Sequence, residues 1–497
     1  MLKMKFTSTR SAQDFTSAAA ITRGIAADGG LFVPCEFPQI SYEELLKLAD
    51  MDYIGRAKAV LKLYLTDYTE EELDFCVRGA YSNTFDKNIP APLATVNGNT
   101  EMLELWHGPT CAFKDMALQL LPFLLVKAAN KTVPGRTIVI LVATSGDTGK
   151  AALAGFADVP NTRIVVFFPE NGVSDMQKLQ MITQTGNNVS VCGIKGNFDD
   201  AQSGVKKIFT DNAIRQQLEA KNMEFSSANS INFGRLVPQI VYYVSAACDL
   251  IKSGKLAAGD KFNVAVPTGN FGDILAAYYA KQMGIPIDKL ICASNRNNVL
   301  SDFLATGVYD RNREFYTTSS PSMDILISSN LERMIYHAAG NDAELTARLM
   351  KDLAEKGRYE LPKEVLEKLQ SEFFGGYCDE EGTQKTILNL FKEYNYLADT
   401  HTAVAANVLE QYRKATDDDR LTVVASTASP YKFASAVLPA LSNSAIPTDG
   451  FEQLQQLSAL TNTPVPAPLA GLKGCEVLHK NCIEKDNMAE FVLNFLA

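Results

Sequence analysis

Residues 137–150 read TIVILVATSGDTGK. Thr137–Ala143 is β-branched and apolar without a break, the pattern of a strand buried on both faces of a parallel sheet. The run ends in small and hydroxyl residues that open a helical pattern, so strand, tight turn and helix follow within fourteen residues. The same strand type recurs at Arg163–Phe168, Asn188–Ile194, Lys261–Val266, Leu290–Ala293 and Leu421–Ala425. Helical patterns lie between them at Ser174–Thr185, Phe198–Lys221, Arg235–Ser253, Gly272–Met283 and Tyr431–Leu441. This alternation predicts an α/β fold of mainly parallel sheet with helices on both faces. Ligands in such sheets bind beyond the carboxyl ends of the strands, so chemistry is sought at the strand-to-loop junctions.

Outside this rhythm the chain changes character. Residues 1–90 form a separate N-terminal segment with helical patterns near Ser41–Asp50 and Glu70–Ala80. Residues 91–440 form the main region, with a smaller lobe over about 137–215 and a charged helical insertion over about 310–382. Residues 441–497 read as a C-terminal appendage.

Composition narrows the function classes. Of 497 residues, 46% are apolar and 21% charged, ordinary for a globular chain. Lys and Arg total 47 against 57 for Asp and Glu, a net charge of −10. That balance argues against nucleic-acid binding. No apolar run approaches the ~20 residues that span a bilayer, and MLKMKFTSTR lacks the apolar core of a signal peptide. Nine cysteines without a C-x-x-C pair suggest reduced thiols in a cytoplasmic protein. Four histidines without H-x-x-x-H spacing give no metal site.

Four junctions and one polar run are candidates for chemistry. In LWHGPTCAFKDMAL, Lys114 follows a Gly-Pro turn and opens an apolar helix. A lysine there either snorkels to solvent or is desolvated, neutral and available as a Schiff-base nucleophile. ATSGDTGK is not a nucleotide phosphate loop, because Thr144 stands where its first glycine belongs and Ala151 follows Lys150. A carboxylate held by Ser145, Thr148 and backbone amides suits it better, beside the plainer reading of a capped turn. VPTGNFGD offers Gly269, Gly272, Thr268 and Asn270 for a phosphate cradled by main-chain amides, or is an ordinary loop. In ASTASPYKF, Ser426 and Thr427 are helix caps or partners for a ring nitrogen. SANSINFGRLV gathers Asn229, Ser230, Asn232 and Arg235, a polar loop or an anion site with a bidentate donor. A reactive lysine, a phosphate cradle, a carboxylate loop and a ring partner together describe a pyridoxal phosphate enzyme that handles an amino acid.

These motifs also carry a resemblance. FTSTR, GIAADGGLFVP, HGPTCAFKDMALQLL, TSGDTGKAAL, SANSINFGRLVPQIVYY, PTGNFGDILAAYYA, DTHTAVA and STASPYKF, in this order, closely resemble the threonine synthase family, of the fold type II, tryptophan-synthase-β-like class. The resemblance spans most of the chain. It departs from common family wording at Thr400, Ser429 and Tyr431, and in SAQDF after Arg10. It implies two lobes of parallel sheet, with pyridoxal 5′-phosphate linked to Lys114. Gly269, Asn270, Phe271, Gly272 and Asp273 would contact the cofactor's phosphate region, and Thr427 its ring nitrogen. Thr144, Ser145, Asp147 and Thr148 would form the substrate-carboxylate loop. Asn229, Ser230 and Arg235 are the candidates for the substrate phosphate, with Lys150 a further one. The implied reaction is conversion of O-phospho-L-homoserine and water to L-threonine and phosphate, the implied assembly a monomer. The alternatives are a serine or threonine dehydratase or phospholyase of the same fold, and a catalytically silent binding protein, against which Lys114 argues.

Overall fold

In the computed structural model, which describes residues 3–86, 89–171 and 173–497, Thr137–Ala143 is a strand with its five central residues buried. Residues 1 and 2 of the stretch read for a leader, and two residues beside the boundary set at 90, lie outside the described residues. Neighbours flank the strand on both sides: Val139 pairs with Arg163 and with Phe225. The resulting sheet is parallel throughout, in the order Asn481–Glu484, Val189–Lys195, Thr162–Pro169, Thr137–Ala143, Met223–Ser226.

A second, larger sheet runs Phe373–Tyr377, Ile287–Ser294, Phe262–Pro267, Thr422–Ser426, Thr100–Glu104, Leu93–Asn97. It is parallel except for its last pair, a hairpin. Mainly parallel sheet with flanking helices is the architecture expected from the strand rhythm, and its division into two lobes is what the family resemblance implies. Helix Phe233–Lys252 packs on Gly272–Gln282 and on Tyr53–Tyr64. Its run LVPQIVYYVSAAC is apolar nearly all round, as a helix buried on every side must be.

Several elements differ from the sequence reading. Phe198–Lys221 is two helices, because the Asp211 carboxylate accepts from the Ala213 and Ile214 amides and restarts the helix in extended backbone. The start of Tyr431–Leu441 is a 3-10 turn, Pro430–Phe433. Residues 310–382 hold the helices Leu331–Ala338, Ala343–Lys356 and Lys363–Glu372. They also hold the edge strand Phe373–Tyr377, which continues the large sheet by pairing with Leu290–Ser294. Its sequence, FFGGY, is too short and glycine-rich to announce a strand. Helices Tyr42–Ala49 and Glu70–Tyr81 are fixed by capping boxes, Ser41 with Glu44 and Thr69 with Glu72. A three-stranded antiparallel sheet precedes them. The polar strand Asn481–Glu484 carries residues 441–497 back to the edge of the smaller sheet. Among the described residues no helix is long and apolar enough to cross a membrane.

Candidate active site

Lys114 is the first residue of the short helix Lys114–Leu118. The chain before it is locked by a two-strand bridge: Ala112 faces Ala428, the Phe113 amide donates to the Thr427 carbonyl (2.8 Å), and the Ser429 amide donates to the Cys111 carbonyl (3.0 Å). This pairing sets Thr427, at the end of strand Thr422–Ser426, beside the lysine. Cys111 adopts φ 58°, an uncommon left-handed conformation for a non-glycine residue, in the turn that aims the helix.

The lysine is buried, at 8% exposure. Its Nζ donates to Ser322 Oγ at 3.2 Å, lies 3.6 Å from Asp147 Oδ2, and sits 4.7 Å over the Phe113 ring. Burial pushes its pKa down, with the Asp147 carboxylate opposing and Lys432 and Arg235 assisting. An amine in that setting gives up its proton more readily than a surface lysine.

Asp147, at the start of helix Asp147–Phe156, faces inward. Its Oδ1 accepts from Lys432 Nζ and from Gln177 Nε2, both at 2.9 Å. Burial pushes its carboxyl up, but the ammonium groups of Lys432 and Lys114 outweigh that and hold it far below the ordinary carboxylate range. Asp147 is therefore an anion serving two lysines, a different task from donating to a substrate carboxylate. Thr144 is likewise engaged: its hydroxyl accepts from the Gly146 and Gly149 amides, both at 2.9 Å. Ser145 is exposed and Thr148 half-buried, and among the described residues neither side chain is hydrogen-bonded. Those two hydroxyls at the mouth of a helix remain available to a carboxylate. Lys150 donates to Gln184 (2.6 Å), and burial lowers its pKa to about 8.

On the larger lobe, strand Phe262–Pro267 leads into helix Gly272–Gln282 through Thr268–Phe271. Phe271 caps the helix in a left-handed conformation, φ 60°, and no side chain bonds to the first turn. That leaves an open helix N-terminus, the anion-binding geometry a phosphate needs. Gly269 packs so closely that a Cβ there would stand 2.5 Å from the Ser322 carbonyl oxygen. Its own carbonyl accepts from Ser328 Oγ (2.8 Å), and the Asn270 carbonyl accepts from the Asn330 amide and side chain (3.0 Å each). Asp273 turns away from this loop. Its Oδ1 accepts from the Tyr242 and Tyr243 hydroxyls, at 2.5 and 2.6 Å, while Oδ2 is buried without a partner. Burial raises its pKa to about 6 against those two hydrogen bonds.

Arg235 is buried at 3% exposure. Its Nη1 donates to the Ala228 carbonyl at 3.0 Å, and its Nε has no partner. Burial lowers its pKa to about 10, which leaves it charged at neutral pH. Asn229 and Ser230 bond to each other at the surface of the same loop, with Ser230 Oγ 3.5 Å from Ser329 Oγ.

The structure adds residues that the sequence reading left unassigned. Ser322 lies in the 3-10 turn Pro321–Met323, inside the insertion. Its amide donates to His401 Nε2 (3.1 Å), and His401 Nδ1 faces Asp399 Oδ2 at 2.6 Å. A backbone amide can only donate, so Nε2 is the acceptor and Nδ1 carries the proton given to Asp399. Lys432, the lysine of STASPYKF, also donates to the Thr110 carbonyl at 2.8 Å.

A buried amine at Lys114, an open helix N-terminus at Gly272 and a hydroxyl-bearing strand end at Thr427 are groups that would suit the carbonyl carbon, phosphate and ring of pyridoxal phosphate. Family profiles match at residues 5–81 (threonine synthase N terminus), 102–427 (pyridoxal-phosphate dependent enzyme) and 402–477 (threonine synthase, C-terminal). Threonine synthase-like 1 of Homo sapiens is 42% identical over 90% of this chain, which spans 60% of that relative's length. Threonine synthase of Saccharomyces cerevisiae is 35% identical, over 97% of this chain and 98% of its own. The crystal structure of PLP-bound threonine synthase from Brucella melitensis superposes with a TM-score of 0.88 at 36% identity, covering 99% of both chains. On these profiles and relatives, the chain belongs to the threonine synthase family of pyridoxal-phosphate-dependent enzymes, with pyridoxal phosphate as its cofactor.

Proposed function

We propose that the chain converts O-phospho-L-homoserine and water to L-threonine and phosphate. The observation that carries the proposal is Arg235: a fully buried guanidinium with an unpartnered Nε, whose charge acts on Lys114. A buried cation without a counter-charge is costly, and a phosphate is the group its planar donors fit. With the helix terminus at Gly272 assigned to the cofactor's phosphate, a second phosphate-sized anion is the reading for Arg235.

The chain's own residues then take the following roles. Ser145 and Thr148 donate to the substrate carboxylate and fix the α-carbon. Lys114, which would hold the cofactor through its amine, is the base of the site: its Nζ, when free and neutral, receives the α-proton. Asp147 holds the ammonium so formed close to its position, at 3.6 Å. Arg235 binds the γ-phosphate and carries its growing negative charge as the C–O bond breaks. Pyridoxal phosphate supplies the electron sink that makes the α-proton acidic. Loss of a β-proton as well lets the phosphate depart; a proton then delivered to the γ-carbon, hydroxide from water added at the β-carbon and return of a proton to the α-carbon complete threonine, the proton left over leaving with the phosphate. A cytoplasmic setting and a monomer belong to the same proposal.

The test is to incubate the purified holoenzyme with O-phosphohomoserine and quantify products. Threonine and phosphate in equal amounts support the reading. A 2-oxo acid with ammonia in place of threonine would establish the dehydratase or phospholyase alternative.

A further inference from the structure

From the insertion, we infer that Ser322 is the positioning residue for the Lys114 amine, through its hydroxyl. The inference rests on Lys114 as the reactive amine, proposed above. Ser322 Oγ is the nearer partner of Lys114 Nζ, at 3.2 Å, with Asp147 Oδ2 further off at 3.6 Å. The same hydroxyl lies 3.4 Å from Asp147 Oδ2 and donates to it. The chain is therefore directional: Nζ–H to Oγ, and Oγ–H to the carboxylate. Asp147 stays ionised beside Lys432, so the serine proton has a fixed destination and its oxygen lone pairs face the lysine.

That direction has a consequence for a base. When Lys114 is neutral it keeps one lone pair and two N–H bonds. Giving one N–H to Ser322 Oγ restricts where the lone pair can point, which an amine on a flexible four-carbon stem does not achieve alone. The hydroxyl itself is held by a built turn. The Ser322 amide is bound to His401 Nε2, and His401 to buried Asp399. The Ser322 carbonyl packs against Gly269, so the turn is wedged against the loop that ends at the open helix N-terminus. Asp324, two residues on, accepts from Asn295, Asn297 and Thr318 and closes the turn from behind. One side chain thus touches the lysine and the Asp147 loop, while its backbone touches Gly269 and His401.

Three variants test this: Ser322→Ala and Ser322→Cys, which remove a good acceptor, and Ser322→Thr, which keeps it. In the holoenzyme, the Ala and Cys variants should lose roughly tenfold in kcat with KM changed less than about twofold, and Thr should restore most of it. In the cofactor-free protein the readout is modification of Lys114 by an amine-directed reagent near neutral pH, followed by peptide mass. A hydroxyl that accepts from the ammonium favours the charged form, so its loss should speed labelling about threefold or more in Ala and Cys but not in Thr. Slower turnover on a more reactive amine is the signature of lost positioning. Wild-type kcat and labelling in Ser322→Ala overturn the inference, as does a Thr variant impaired like Ala, which would assign the effect to the turn's backbone. Borohydride reduction of the wild-type holoenzyme separates this from the underlying reading: cofactor trapped on any residue but Lys114 removes Lys114 as the amine, whatever Ser322 does.

Discussion

Lys432 Nζ stands 2.9 Å from Asp147 Oδ1 in a contact with no solvent access on the lysine side and almost none on the carboxylate. The two side chains come from opposite lobes of the reading, the STASPYKF segment and the SGDTG loop, and the pair makes Asp147 an anion before Lys114 is considered. Lys432→Met should leave Asp147 short of its nearer ammonium. Breaking one partner of a buried pair costs about 3–5 kcal/mol. Urea denaturation of the cofactor-free protein should show that loss, and the double variant Lys432→Met with Asp147→Asn should recover part of it. A single variant as stable as wild type would mean that the pair contributes nothing net.

Lys114→Ala should abolish the visible absorbance of lysine-bound cofactor and nearly all turnover, and keep the fold. Only one buried amine is removed, and Asp147 keeps Lys432. Retained turnover at wild-type rate would remove Lys114 from the chemistry.

At the cradle, two glycines should respond unequally. A Cβ at Gly269 meets the Ser322 carbonyl oxygen at 2.5 Å, whereas one at Gly272 finds its nearest neighbour, Asn330 Nδ2, at 3.4 Å. Gly269→Ala should therefore displace the Ser322 turn and weaken both cofactor retention and turnover. Gly272→Ala should be milder. Dialysis against a carbonyl reagent, followed by the absorbance of what remains, ranks them; equal retention would show that the close approach at Gly269 is irrelevant to binding.

Asp273 predicts a pH dependence of stability. Its folded carboxyl keeps a proton up to about pH 6, against an ordinary value of 3.8. Its contribution is fully present below the unfolded value and is lost as pH rises through about 6. Asp273→Asn removes this ionisation while its amide oxygen can still accept from both tyrosines. The stability of the variant relative to wild type should thus rise between pH 4 and pH 8, by on the order of 1–3 kcal/mol. A difference that is flat with pH would show that the group does not titrate in that window.

Arg235→Lys keeps a charge and loses the planar fork. Turnover of O-phosphohomoserine should fall roughly ten- to a hundredfold in kcat/KM, the worth of one charge-assisted hydrogen bond. Deamination of L-serine, tested as a side activity, should fall much less, and the cofactor spectrum should not change. An equal fall for both substrates would place Arg235 at the carboxylate or in the scaffold.

Much of this was legible in residue order. TIVILVA announces its strand because a central parallel strand must be apolar on both faces, Gly269 stands out as a glycine just past a strand, and Lys114 and Arg235 as charged residues opening apolar helices. Asp147 and Asp273 were visible as residues but not as actors: which way a carboxylate turns depends on Lys432 and on Tyr242 and Tyr243, far away in sequence. Ser322 was silent. It belongs to a short 3-10 turn in SSPSMD, with no period to read, and its importance comes from three partners at 79, 175 and 208 residues' separation. The edge strands FFGGY and NCIE were hidden for a related reason, since an edge needs only one neighbour and carries little apolar signal.

The last of these strands gives synthesis of the chain a timetable. Asn481 pairs with Cys192, so the outer edge of Val189–Lys195 waits 289 residues for its partner. At about 5–20 residues per second that is roughly 15–60 s on the ribosome. Throughout this interval an apolar strand, VSVCGI, presents open backbone to any passing chain. Nascent chains stalled or cut before residue 481 should therefore be the species that chaperones retain and that aggregate, even though the residues proposed for the chemistry, Lys114, Arg235 and Gly269, are already translated.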